Sequence, residues 1–326
     1  MFIIKQRTIS LVLIFLTLLF LHKKKSMANV LITGGSGLVG TALSSLLADQ
    51  GHSIKHLSRT RNLKATYPAY QWDLNNETAD DEAFKGVDYI FHLAGANISE
   101  GKWSEERKKI ITESRVKSGE LLMKKVKELD IPLKAFIASS ATGYYGSITS
   151  EKIFTETDAS GKDFLGTVCS KWENSSMKFR EMGIRTVLLR TGVVLSLEGG
   201  ALKKLYTPVR LGIASPIGKG KQYMPWIHID DLCKLYSDAM NKSNFSGPYN
   251  AVAPAHTDNK SFTKKLAKAA KKPFWPLNIP SFVIKLLFGE MSTVILEGSR
   301  ISSETLLNQG FSFKFSNLEM AFNDLI

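Results

Sequence analysis

Only two cysteines, Cys169 and Cys233, occur in 326 residues. That is too few for a disulfide framework and suits a reducing compartment. The six histidines are scattered, and His52 and His56 fall at strand spacing rather than as a helical ligand pair. With two distant cysteines there is no metal motif, and no metal is expected. The apolar run at residues 9–21, interrupted only by Ser10 and Thr17, is short for a membrane span. As a helix it would rise about 20 Å against a hydrocarbon core of about 30 Å. Its length suits a signal-peptide core, but His22, Lys23, Lys24 and Lys25 follow it directly. Three readings remain for residues 1–26: a dispensable extension ahead of a start at Met27, a membrane anchor, or a cleaved signal. The first is the expectation, because Met27-Ala28-Asn29 opens a domain at once, and it makes the protein cytoplasmic. Stable membrane association would then require that the leader be retained.

Hydrophobic residues make up 44% and charged residues 22%, which excludes collagen, bulk disorder and a polytopic membrane protein. The net charge is +13, and residues 1–26 hold five bases and no acid. The remainder stays basic, below the level of a dedicated nucleic-acid binder but suited to an anionic ligand. Lys264, Lys265, Lys268, Lys271 and Lys272 crowd one helix. Without interleaved aromatics they read as a solvated face, and no nucleic-acid partner is expected.

From residue 29 onward, strand-like runs at 29–33, 53–58, 87–94, 133–139 and 186–190 alternate with helical stretches at 38–49, 105–129 and 164–182. That alternation predicts βαβ units and a parallel sheet. The second half reads differently. Turns and bases occupy 199–212, a strand 247–254, and short helices 261–272, 282–288, 291–296 and 318–326. The expected division is a leader at 1–26, a nucleotide-binding domain at 27–195 and an α-rich lobe at 196–326, with about 226–252 returning to the first sheet.

Gly34, Gly35, Ser36, Gly37, Leu38, Val39 and Gly40 stand between the first strand and the first helix. Glycines at this spacing make a tight turn, let the backbone approach a pyrophosphate and let helix pack on strand. An NAD-specific site would carry an acid at the end of the second strand. Here Leu57-Ser58-Arg59-Thr60-Arg61 has none, and Arg59 would pair with a 2′-phosphate. The cofactor expected is NADP(H).

The loop, Asp73, the run His92-Leu93-Ala94-Gly95-Ala96 and Ser139-Ser140 together resemble an extended short-chain dehydrogenase/reductase. Ser140-Ala141-Thr142-Gly143-Tyr144-Tyr145-Gly146, Trp172-Glu173, Arg190-Thr191-Gly192-Val193 and Gly310-Phe311-Ser312-Phe313 narrow the likeness to the atypical "epimerase family protein" group. The likeness runs from about residue 29 to the end. It implies a Rossmann-type doubly wound parallel sheet with a smaller α-rich C-terminal lobe. It also adds Asp73, Leu74, Ala94, Gly95, Ala96, Ser139, Gly192 and Val193 to the cofactor residues. The Tyr-x-x-x-Lys pair typical of the superfamily falls on Leu165 and Cys169, and its helper asparagine on Arg115. Ser140, Tyr144 and Tyr145 are the substitutes expected for catalysis, with Cys169 a small buried helix residue. Asp230 or Asp231 should cap the helix that follows, and His228 should be a strand residue. The function expected is an oxidoreductase or epimerase-like enzyme on an unknown small molecule, with a homodimer a further partner. The alternative is a catalytically silent NADPH sensor or scaffold.

Overall fold

The computed structural model describes residues 27–326, so the apolar run at 9–21 lies outside the described residues. The first unit is β1 (Asn29–Thr33), α1 (Leu38–Asp49) and β2 (Ser53–Ser58). Successive β1 side chains point to opposite faces, so Val30 and Ile32 enter one core layer and Leu31 the other. Leu43 and Leu47, one turn apart, are the buried face of α1. The chain continues through β3 (Ala69–Asp73), β4 (Thr78–Ala79), β5 (Tyr89–His92), α2 (Glu105–Glu128) and β6 (Ala135–Ala141). Next come β7 (Ile153–Phe154), α3 (Phe164–Glu181), β8 (Arg185–Thr191) and β9 (Val193–Leu195).

The later elements are α4 (Gly200–Arg210), β10 (Trp226–His228), α5 (Ile229–Asn241) and β11 (Gly247–Ala251). After them come α6 (Asn259–Ala269), α7 (Ser281–Phe288), α8 (Thr293–Leu296), β12 (Arg300–Ile301), α9 (Glu304–Asn308) and α10 (Leu318–Leu325).

Eight strands form one sheet in the order β4-β3-β2-β1-β5-β6-β8-β11, parallel except at the β3–β4 edge. This is the doubly wound sheet expected, with a helical C-terminal region. The winding reverses between β1 and β5, and such a switch opens a crevice at the carboxyl ends of those strands. One core layer joins the sheet to α1 and α5, the other to α2 and α3. A third cluster holds α4, α6 and α10 together.

Two local expectations are corrected. Residues 200–210 are helical, because Leu202 and Val209 both reach the third cluster. Gly199, Gly200 and Pro208 had suggested turns, but the glycines open the helix and the proline lies in its last turn. In α5 the cap is His228, whose Nδ1 accepts from the Asp230 amide at 3.2 Å. Asp231 is buried and accepts instead from the amides of Lys314 and Phe315, at 2.8 and 2.9 Å.

Candidate functional site

The glycine turn joins β1 to α1 at the switch. Gly34 has φ +72°, and a Cβ there would lie 2.9 Å from the Ala94 amide nitrogen of the neighbouring loop. At Gly40 a Cβ would lie 2.2 Å from the Gly34 carbonyl oxygen. Gly37 caps α1 without any side chain. The amides of Leu38, Val39 and Gly40 have no acceptor among the described residues. Free amides at a helix start, with the helix dipole behind them, suit a phosphate.

His56 of β2 underlies the turn, where a Cβ at Gly35 would strike its ring at 2.4 Å. Ser44 donates to the Gly40 carbonyl at 2.7 Å and shares a 2.8 Å contact with His56 Nε2. The single hydroxyl proton is therefore engaged, so His56 donates through Nε2. Burial holds its imidazole below the usual range. Arg59, just past β2, is exposed and has no ion-pair partner among the described residues. Asp73 ends β3 and accepts from the Asn75 amide and from Asn76 Nδ2, each at 2.8 Å. Those bonds hold its carboxyl below the ordinary range. Leu74 packs on the α2–α3 core layer.

The loop after β5 hangs on a relay that the sequence did not signal. Ser118 donates to the Ser114 carbonyl at 2.7 Å and meets His92 Nε2 at 3.1 Å. His92 Nδ1 meets Thr33 Oγ1 at 2.8 Å, and the Ala94 amide donates to Thr33 Oγ1 at 3.2 Å. One proton direction satisfies every member: His92 Nε2–H to Ser118, and Thr33 O–H to Nδ1. Burial pushes the His92 pKa down to about 4, so the imidazole stays neutral. The Ala96 amide is held by Ser114 Oγ at 3.0 Å. Beside Gly95 lies the Arg115 guanidinium, stacked 5.0 Å from the Trp172 ring. Its Nη1 donates to the Ile111 carbonyl at 2.9 Å, and it has no acidic partner among the described residues.

Beneath the cleft is a buried polar network. Arg190 donates to both carboxylate oxygens of Glu173 at 2.8 Å, and Ser140 Oγ donates to Glu173 Oε1 at 2.6 Å. Arg190 Nη1 also donates to Tyr145 Oη at 3.0 Å, and Tyr145 donates to Asn250 Oδ1 at 2.6 Å. Burial works against the Arg190 charge, but the bonds to Glu173 hold its pKa up. Two of the residues expected to be catalytic, Ser140 and Tyr145, sit in this network. Ser140 is only 3% exposed, and like the other even positions of β6 it faces α3. The Tyr145 phenol is pushed up to about 12 by burial and is saturated by Arg190 and Asn250.

Tyr144 differs from both. It is half-buried, and its hydroxyl has no hydrogen-bond partner among the described residues. Its ring lies 3.5 Å under the Arg190 guanidinium. A Cβ on the adjacent Gly143 would lie 3.5 Å from Leu165 and 3.7 Å from Cys169 Sγ. Cys169 is buried, and that burial pushes its thiol up to about 12.

Gly192 and Val193 are packed against the strands beside them. Their amides donate to the carbonyls of Ala251 and Pro225 at 3.2 and 2.7 Å, and a Cβ at Gly192 would meet the Pro225 oxygen at 2.5 Å. Ser139 shares a 2.6 Å bond with Tyr236 Oη of α5. His228 gathers with Asp230 and Asp324. Because Nδ1 already accepts from an amide, the Nε2 of neutral His228 carries the proton and presents no lone pair to a metal. Among the described residues no helix is long and apolar enough to cross a membrane.

The chain is similar in sequence and fold to known proteins. The model of the NAD dependent epimerase/dehydratase family matches residues 30–252, and that of a domain of unknown function, DUF1731, matches 279–325. Epimerase family protein YfhF of Bacillus subtilis is 36% identical over 303 residues, covering 91% of this chain and 98% of its own. The crystal structure of human epimerase family protein SDR39U1 (isoform 2) with NADPH has a TM-score of 0.80 and 30% identity, covering 91% of this chain and 98% of that one. A Thermotoga maritima UDP-glucose 4-epimerase with UDP-glucose, 20% identical, has a TM-score of 0.72 over 91% of this chain and 97% of that one, a likeness of fold.

Proposed function

This chain belongs to the NAD dependent epimerase/dehydratase family, and we propose that it is an NADP(H)-dependent oxidoreductase or epimerase-like enzyme acting on a small molecule. The observation that carries the reading is the phosphate cradle at the sheet switch. Three amides without a partner among the described residues open α1, and at Gly34, Gly35 and Gly40 a Cβ would strike neighbouring atoms. Arg59, without an acidic partner among the described residues, supports the choice of the 2′-phosphorylated cofactor. The solved relative that was crystallised with NADPH supports it too.

When bound, the cofactor supplies or accepts a hydride. The protein's share is orientation and one proton. The Ala94 and Ala96 amides, tied to Thr33 and Ser114, would fix the loop facing the nicotinamide end. Tyr144 has the one uncommitted phenol of the adjacent pair and would hold or give the proton at Oη. Arg190 positions it by stacking, and Glu173 holds Arg190. Arg115 would receive an anionic group on the substrate, since a cation without a counter-charge is costly in a half-buried place.

A second reading has its own support. With Leu165 and Cys169 at the positions of the usual pair, and the Cys169 thiol near 12, the chain would bind NADPH without turnover and act as a sensor or scaffold. A panel of carbonyl compounds and nucleotide sugars, assayed by NADPH absorbance, separates the two. The enzyme reading expects turnover that Tyr144→Phe lowers by about 10²–10⁴-fold with NADPH affinity unchanged. Turnover indifferent to that change refutes the role of Tyr144. NADPH binding without turnover across the panel favours the sensor.

A further inference from the structure

On the C-terminal lobe, residues 211–218 run beside residues 275–281. Trp275 donates through its amide to the Ala214 carbonyl at 2.8 Å and through Nε1 to the Gly212 carbonyl at 2.9 Å. The Ile279 amide donates to the Pro216 carbonyl at 2.8 Å, and α7 begins two residues later. From this continuous strip apolar side chains stand out into solvent. Leu277 is 82% exposed, Leu286 77%, Leu211 72% and Phe282 69%, with Ile213 and Trp275 more than half exposed. In α7 the only buried side chain is Ile284, while Phe282 and Leu286, one turn apart, face outward. An ordinary surface helix turns such a pair inward, and monomeric soluble proteins rarely display so many large apolar side chains together.

The charges in the segments that carry the strip, residues 211–219 and 271–289, are all basic. Residues 199–229 and 259–289 hold twelve lysines and arginines and no acid. Arg210, Lys219, Lys271, Lys272 and Lys285 flank or interrupt the apolar strip and have no ion-pair partner among the described residues. Glu290, the acid that follows α7, is already paired with Lys108.

We infer that this face docks reversibly on an anionic lipid bilayer, with Phe282, Leu286, Leu277 and Trp275 entering the headgroup boundary and the lysines meeting the lipid charge. Exposed aromatic and leucine side chains framed by unpaired bases are what an interfacial element needs, and basic residues near an anionic leaflet add attraction that salt screens. The bases also argue against a second copy as the occupant. A two-fold contact would set this face against itself and bring like charges together with no acid between them. The docking requires no membrane-spanning helix.

The test is sedimentation of the full chain with phosphatidylcholine vesicles, either pure or containing about 30% phosphatidylserine. Wild-type protein should pellet with the anionic vesicles, stay in solution with the neutral ones, and be released by salt. Phe282→Ser with Leu286→Ser, and separately Lys271→Glu with Lys272→Glu, should each lower partitioning by at least about tenfold. All four side chains are exposed, so both variants should keep the wild-type melting temperature. Residues 1–26 are present throughout, so binding that survives both double variants is attributable to that segment and overturns the proposal. Equal binding to neutral vesicles overturns it, as does no binding to either. A dimer that the variants dissolve, without vesicle binding, would assign the face to a second copy.

Discussion

The guanidinium of Arg190 lies 3.5 Å from the centre of the Tyr144 ring, and its edge is held by Glu173 through two 2.8 Å bonds. Tyr144 therefore owes its placement to a residue it does not touch. Glu173→Ala leaves a buried arginine without its counter-charge. It should cost about 3–5 kcal/mol of stability, read from the urea midpoint at unchanged slope. A loss below about 1 kcal/mol would show that the network carries little of the fold's stability.

Both cysteines should be inert in the folded protein. Burial pushes the thiols of Cys169 and Cys233 up to about 12 each, leaving almost no thiolate at neutral pH. Intact-mass measurement after iodoacetamide at pH 8 should find no adduct under native conditions and two after unfolding. Rapid native labelling of Cys169 would contradict the burial of its thiol.

Acid should loosen the loop after β5. The His92 pKa is about 4 in the fold against 6.5 as its ordinary value, so the unfolded chain binds the extra proton between those limits. Stability is full above about pH 6.5 and falls as pH drops towards 4, by up to about 3 kcal/mol from this residue. His56 and His228, also lowered by burial, add the same sign. His92→Gln should flatten the melting-temperature profile across that window. An unchanged slope would remove His92 as the cause.

The sheet and the glycine turn were legible because they depend on local pattern: alternating apolar runs, and glycines at fixed spacing between strand and helix. What local pattern does not show is which way a side chain faces. Ser140 and Tyr144 are four residues apart, yet strand alternation turns Ser140 towards Glu173 while the Tyr144 hydroxyl has no partner among the described residues. The His92 relay joins residues from β1, β5 and α2, a convergence that only the parallel register between Thr33 and His92 creates. The helix at 200–210 was hidden by Gly199, Gly200 and Pro208. Its signal was the seven-residue spacing of Leu202 and Val209.

The most direct test of the account is calorimetric titration of the protein with NADPH and with NADH, repeated on Arg59→Ala and on Gly40→Ala. Arg59 should give NADPH about a ten- to hundredfold advantage, which Arg59→Ala should largely erase while NADH affinity stays put. Gly40→Ala, whose methyl would lie 2.2 Å from the Gly34 oxygen, should abolish binding of both. Equal wild-type affinities for the two cofactors, or tight binding that survives Gly40→Ala, would contradict the NADP(H) site at the β1–α1 turn.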